Sequence, residues 1–418
     1  MRFARRKGWA VAAVAVVLLA AAVWAWRSGT LREAAKPATG SGSAAVWADR
    51  ADAAQAALES SFWDGKRGLY SNASPCMLQL CTDPFNYWWM AHAADALTDG
   101  YQRTGDARYG ERLADLYDGL LARNAGVWPN DYYDDMAWMG LAWLRAFDAT
   151  GEERYKEAAL TLWADIRGGW NDEMGGGIAW RKEQTDYKNT PANAPSAILA
   201  ARLYERFGNA EDLDWAKRIY EWETKTLVDP ETGFVWDGIN RTGDGEIDKA
   251  WQFSYNQGVY IGASVELYRA TKEASYLEAA RRTASVAAET LAGGPEGLLP
   301  SEGDGDGALF KGVFVRYLGE LIAEDGDSAS WAKLLSANAE SLWADGRAPA
   351  PEGGESGDAT ASATARKAGD PAAEAGSKAL FGPSWAQPPE TVVQLGADIS
   401  GVTLLEVMTR LERDGRLK

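Results

Sequence analysis

The sequence predicts an all-α fold: an (α/α)6 barrel of six helical hairpins, preceded by one N-terminal membrane-spanning or signal helix. Three observations predict it. A helix–turn–helix unit recurs five times, with turns starting at Tyr101, Phe147, Tyr204, Tyr268 and Ile322, 46, 57, 64 and 54 residues apart. One further helix at each end of the same region (44–62 and 398–412) supplies a sixth pair if the two ends meet. The loops between units are long and rich in Trp, Gly and Asn, and the spacing exceeds that of the common solenoid repeats. A curved solenoid is the alternative architecture.

Residues 1–7 form a basic segment with Arg2, Arg5, Arg6 and Lys7. Residues 8–26 follow as 19 apolar residues without a charge, long enough at about 1.5 Å per residue to span a bilayer core. The basic flank is expected to stay cytoplasmic, which places the rest of the chain outside, anchored to the cell membrane. A cleaved signal peptide ending at Val23-Trp24-Ala25, giving a secreted protein, is the rival. The anchor is preferred because the apolar run exceeds a usual signal core of roughly 7–15 residues. Residues 27–43 are small and polar and read as a linker. Residues 44–418 then form the barrel domain.

Within each unit, helix spacing of apolar residues breaks at a short turn and resumes. "TGD" (104–106) and "TGE" (150–152) supply a glycine for a helix C-terminus and then an acid for the next N-terminus. The fourth copy, "YRATKEASYLEAA", lacks the glycine. In this reading the first helix of each pair is inner and the second outer. The loops entering the inner helices (81–89, 130–135, 186–193, 251–258 and 307–314) then open on one face. Residues 347–379 lack apolar periodicity and read as a disordered insertion.

Charge narrows the function. After the first 36 residues, 36 bases face 59 acids, a net charge of −23. Such a surface repels phosphate backbones, so nucleic acid is not an expected partner, and a neutral substrate fits better. Cys76 and Cys81, five residues apart, read as a small disulfide loop suited to an exported protein. His92 is the only histidine. That count removes Ser-His-Asp and Cys-His catalysis and zinc-histidine sites. Any acid–base work falls to carboxylates. No metal or other cofactor is expected, and a monomer is the expected state.

The carboxylates that stand out are Asp134 and Asp135 in "NDYYDDMAWMG" (130–140), at the start of the second inner helix. An N-cap with a first-turn acid explains one such Asp. It explains less well a pair framed by Tyr132, Tyr133 and Trp138. Glycine-spaced acids at 244–248 and 302–307 are better candidates for calcium, but neither has EF-hand spacing and both read as solvated turns. Two close carboxylates without histidine suit glycoside hydrolysis, one as acid/base and the other as nucleophile or water activator. Adjacent side chains favour the shorter, retaining separation of about 5–5.5 Å. Their repulsion raises one pKa, so one can hold a proton while the other does not.

The remaining loop residues fit sugar binding. Trp88, Trp89, Trp128, Trp138, Trp170, Trp180, Trp236 and Trp251 lie in or beside the loops and offer rigid aromatic faces. Asn189, Asn193, Asn256 and Gln257 can both donate to and accept from hydroxyls.

With these residues assembled, the chain resembles glycoside hydrolase family 76, the endo-α-1,6-mannanases and their fungal cell-wall relatives. The resemblance rests on "YYDDMAWMGLAWLRA", "YWWMAHAADALTDGYQRTGD", "GGGIAWR", "YKNTPAN", "SYNQGVYIGASVELY" and "FKGVFVRYL", and covers roughly residues 45–412. It implies an (α/α)6 barrel and a metal-independent retaining enzyme acting on mannan-type polysaccharide. It further implies Asp134 as nucleophile and Asp135 as acid/base. Substrate binding is expected at Trp88, Trp89, Tyr133, Trp138, Trp180, Lys188, Asn189, Asn193, Tyr255, Asn256, Gln257, Lys311 and Arg316. A cell-wall mannan transglycosidase and a non-catalytic mannan-binding or wall-anchoring protein are the alternatives.

Overall fold

The computed structural model describes residues 44–76, 81–293, 297–348 and 379–417. The basic segment, the membrane helix expected at 8–26, the linker and nearly all of the insertion expected at 347–379 lie outside the described residues. Among the described residues, no helix is long and apolar enough to cross a membrane.

Twelve helices are described: α1 (Ala44–Phe62), α2 (Tyr87–Thr104), α3 (Ala107–Arg123), α4 (Tyr133–Thr150), α5 (Glu153–Arg167), α6 (Thr190–Phe207), α7 (Ala210–Leu227), α8 (Ser254–Thr271), α9 (Ala274–Leu291), α10 (Gly307–Glu324), α11 (Ala329–Ala344) and α12 (Leu395–Arg413). The even-numbered helices form a closed inner ring. Each packs on the next, and α12 packs back on α2. The odd-numbered helices lie outside them, as the repeat predicts. The first and last described helices do meet: Gln55 of α1 donates to Ala96 O of α2 (2.6 Å) and to Glu406 of α12 (3.0 Å).

Burial explains the two helix types. Every residue of α6 from Thr190 to Leu203 is buried, as expected of a helix enclosed on all sides. On α3 only Leu113, Leu116, Gly119 and Leu120 are buried, a single stripe facing inward. Small residues let the inner helices touch. A Cβ on Gly258 would lie 2.6 Å from Phe314 Cα, and one on Gly312 would lie 2.8 Å from Ser400 Cα. The hairpin turns follow the sequence too. Gly105, Gly151 and Gly208 take left-handed φ of 68°, 73° and 73° and cap the preceding helix. In the fourth copy Lys272 takes the same position with φ 62°.

Short strands depart from the all-α expectation. β1 (Trp63–Asp64) pairs with β2 (Leu69–Tyr70), and β3 (Ala73–Ser74) pairs with β7 (Val393–Gln394), beside the Cys76–Cys81 disulfide. β4 (Ala179–Arg181), β5 (Gln184–Asn189) and β6 (Gly238–Ile239) form an antiparallel sheet. That sheet carries Trp180, Lys188 and Asn189 to the mouth of the ring.

Candidate active site

A cavity of about 640 Å³ opens where the inner helices α2, α4, α6, α8 and α10 begin. Helix N-termini present unpaired N–H groups and positive dipole ends, which favour negative charge nearby. Asp134 and Asp135 line this cavity with Trp88, Tyr132, Trp138, Trp180, Asn189, Asp237, Tyr255 and Asp306, among others. A second cavity, of about 460 Å³, lies among α1, α2 and α3. Three of its acids, Asp52, Glu59 and Asp106, are paired to Arg103, Arg112 and Arg108, and it holds no adjacent carboxylate pair.

The pair is fixed from both sides. Asp134 Oδ2 accepts from the Trp180 indole N–H (3.0 Å), and its Oδ1 accepts from the Asp135 N–H (2.9 Å). Asp135 Oδ2 accepts from Asn130 Nδ2 (2.9 Å), while Asn130 Oδ1 accepts from the Tyr132 N–H. Asn130 is therefore a positioning residue. Burial pushes both carboxyls above their ordinary range. For Asp134 the hydrogen bonds from Asp135 N and Trp180 oppose that rise. For Asp135 the charge of Asp134 adds to it, and the Asn130 amide opposes it. The two together favour one shared proton, held mainly on Asp135, with Asp134 ionised.

This has a cost in stability. A carboxyl whose folded pKa is raised stabilises the fold relative to its ionised form below the unfolded pKa, and that contribution is lost as pH rises through the folded value. At neutral pH the pair therefore strains the fold. Asp135→Asn is expected to melt at a higher temperature than wild type at pH 7–8, with the gap closing as pH falls toward about 4, near the ordinary Asp value. Calorimetry over that range checks it. A variant that melts lower at every pH would show that the pair is not strained.

Of the residues expected to bind substrate, Trp88, Trp138, Trp180, Asn189 and Tyr255 line the cavity. The other eight do not, for physical reasons. Trp89 is buried and donates to Asp306 Oδ1 (2.9 Å), the atom that also accepts from Trp88 (2.8 Å). The Tyr133 ring packs against Gly169, and its neighbour Tyr132 faces the cavity instead. Lys188 is fully buried, donating to Asn171 Oδ1 (2.8 Å) and Gly177 O (3.0 Å), and burial lowers its pKa to about 8. Asn193 brackets one peptide, accepting from Ile178 N and donating to Ile178 O. Gln257 does the same to Val235. Asn256 is fully buried behind Asp237, to which it donates (3.1 Å). Lys311 is fully buried and donates to Pro383 O (2.9 Å). Arg316 is buried among the inner helices and paired to Asp99.

Sequence reading missed several cavity residues. Asp237 is buried and accepts from Tyr255 OH (2.9 Å), Tyr187 OH (3.2 Å), Asn256 and Arg241. It joins the third and fourth inner-helix entrances. Glu302, Asp304 and Asp306 also line the cavity: the stretch is an exposed turn at Asp304 and Asp306, as expected, and it borders the site. Glu302 accepts from the Ser254 N–H and hydroxyl and caps α8. The 244–248 stretch is a turn, with Asp244 accepting from Thr242 and Glu246 N. The position of 302–306 just ahead of an inner helix was the available signal.

The profile of glycosyl hydrolase family 76 matches residues 42–366. The Lin0763 protein from Listeria innocua has a crystal structure 38% identical, with a TM-score of 0.77, covering 88% of this chain and 98% of that one. The GH76A α-1,6-mannanase from Salegentibacter is 37% identical, with a TM-score of 0.75, covering 87% of this chain and 99% of that one. An inactive variant of that mannanase, substituted at two consecutive aspartates, is solved in complex with α-1,6-mannotetrose. Among curated proteins, a mannan endo-1,6-alpha-mannosidase of Candida glabrata is 28% identical over 279 residues. The match spans 58% of this chain and 60% of that relative, so the chain covers less than two thirds of its length.

Proposed function

Because the chain belongs to glycosyl hydrolase family 76, we propose that it is a retaining glycoside hydrolase that cleaves α-1,6-mannosidic linkages in a mannan-type polysaccharide. The observation that carries this reading is the Asp134–Asp135 pair, held at the start of α4 on the floor of an aromatic cavity, with the proton affinities of its members set apart by environment. The activity named for the Salegentibacter and Candida glabrata relatives supports it, as does the substitution of two consecutive aspartates in the inactive mannanase.

In the proposed mechanism the Asp134 carboxylate attacks the anomeric carbon, guided by the Trp180 indole. Asp135 gives its proton to the departing glycosidic oxygen. A glycosyl ester on Asp134 and a shortened glycan result. Asp135, now ionised, takes a proton from water. The resulting hydroxide attacks the anomeric carbon and releases Asp134, which restores the starting protonation. Two carboxylates complete this cycle without a Lewis acid, so activity is expected to persist in excess EDTA. A loss that calcium restores would overturn that expectation.

We also propose that the enzyme works outside the cytoplasmic membrane, tethered by residues 8–26. The basic flank, the apolar length and the Cys76–Cys81 disulfide support that placement. Incubation of the protein with linear α-1,6-mannan, with products resolved by size, tests the function. Shorter products are expected. Products longer than the substrate would point to transglycosylation, and no change would favour a non-catalytic binder.

A further inference from the structure

The loop from Asn240 to Phe253 holds one side chain that the proposed mechanism leaves unused. Trp251 lines the cavity, yet 43% of its surface is exposed, in a chain whose other cavity indoles are half-buried or buried. Single exposed apolar residues are common and need no explanation. This one is different because its position is built. The Arg241 guanidinium lies 3.7 Å from the indole centroid. Arg241 is itself fixed, donating to Asp248 Oδ2 (3.1 Å) and to Asp237 Oδ2. Phe253 meets the indole edge-on at 5.6 Å. The guanidinium therefore covers one face, Phe253 stands nearly perpendicular to the ring, and 43% of the residue's surface stays open. A rigid, exposed indole backed by a cation is suited to stack on a sugar ring.

Its place along the cavity wall follows from contacts. The Trp180 indole donates to Asp134, and its ring meets Tyr187 edge-on at 5.7 Å. Arg241 lies over Tyr187 at 4.7 Å and over Trp251 at 3.7 Å. The wall thus runs from the carboxylates through Trp180, Tyr187 and Arg241 to Trp251 at the rim. Along this wall three side chains, Trp180, Tyr187 and Arg241, lie between Trp251 and the pair, which sets a sugar on Trp251 apart from the units that flank the cleaved bond.

We propose that Trp251, backed by Arg241, is the stacking platform of a distal glycan subsite that takes a mannosyl unit beyond those flanking the cleaved bond. The proposal rests on the mannanase reading above and makes the enzyme one that gains from chain length. Asp237 links the platform to the site, because it holds both Arg241 and the Tyr255 hydroxyl.

The test uses the full-length protein and a series of linear α-1,6-manno-oligosaccharides of increasing length. Wild type is expected to show a step of about tenfold in kcat/KM at one chain length, the size of a good aromatic contact. Trp251→Ala is expected to lose that step and to match wild type on shorter members. Trp251→Phe is expected to keep most of it. A step that survives in Trp251→Ala overturns the proposal, as does the absence of any step in wild type. A uniform loss across the series with a lower melting temperature would show that Trp251 only packs its loop. A wild type inactive on the whole series would overturn the mannanase reading, and the mannosyl platform with it. That failure is told apart because it is seen without any substitution.

Discussion

Asp134→Asn and Asp135→Asn are each expected to lower kcat by about a thousandfold or more while leaving the fold intact. The amide is near-isosteric, so the hydrogen bond from Trp180 and the contact with Asn130 need only small adjustment. What is lost is chemistry. An amide at 134 cannot attack the anomeric carbon, and an amide at 135 neither gives nor takes the proton. The two losses should differ in kind. With Asp134 replaced, no covalent intermediate forms, and azide attacking in place of the carboxylate is expected to yield a glycosyl azide of inverted configuration. With Asp135 replaced, substrates whose leaving group needs no proton should retain far more activity than mannan does, because attack by Asp134 survives. The pH profile checks the same assignment. Activity in wild type should fall on the alkaline side as Asp135 loses its proton, and on the acid side as Asp134 gains one. Wild-type turnover in either variant would remove the pair from the mechanism.

The hairpin architecture was legible because a repeated pattern of apolar residues and turn glycines leaves little freedom in how helices pair. The carboxylate pair was legible because histidine is almost absent and the two acids start an inner helix. The β4–β5–β6 sheet was not, because strands of two to six residues carry too little alternation to stand out. The polar residues show a deeper ambiguity. Asn193 and Gln257 were expected to meet sugar hydroxyls because an amide both donates and accepts. A backbone peptide asks for the same two bonds, and in the structure Ile178 and Val235 take them. Residue type alone does not separate these partners; the position one turn inside the helix, rather than at its start, does. Asn189, which caps α6 by accepting from Ala192 N, sits at the start and lines the cavity.

Arg316→Met is expected to destabilise the fold by about 3–5 kcal/mol, the usual consequence of removing one partner from a buried ion pair. The Arg316 guanidinium donates twice to Asp99, at 3.2 and 2.8 Å. Arg145 from the neighbouring inner helix donates to Asp99 and to Asp95. Burial pushes the Asp99 carboxyl up, and the two guanidiniums override it and hold it well below the usual range. Removing Arg316 leaves Asp99 dependent on Arg145 alone. The cluster belongs to a belt across the ring. Two residues before each hairpin turn start, at Tyr101, Phe147, Tyr204, Tyr268 and Ile322, stand Asp99, Arg145, Arg202, Glu266 and Glu320, one on each of α2, α4, α6, α8 and α10. Arg145 pairs with Asp99, Arg202 with Glu266, and Glu320 with Arg269 and Arg410. Aligning the repeats by their turns exposes this belt in the sequence, and it places Arg316, one helical turn before Glu320, with the structural charges instead of the sugar site. Denaturant unfolding checks the size of the loss. Kinetics on mannan at low temperature, where the variant stays folded, check its kind: KM should stay within about twofold of wild type. Replacing Asp99 by Leu together with Arg316→Met should cost less than the two single losses combined, because neither charge is then left unpaired. A raised KM with unchanged stability would return Arg316 to the substrate.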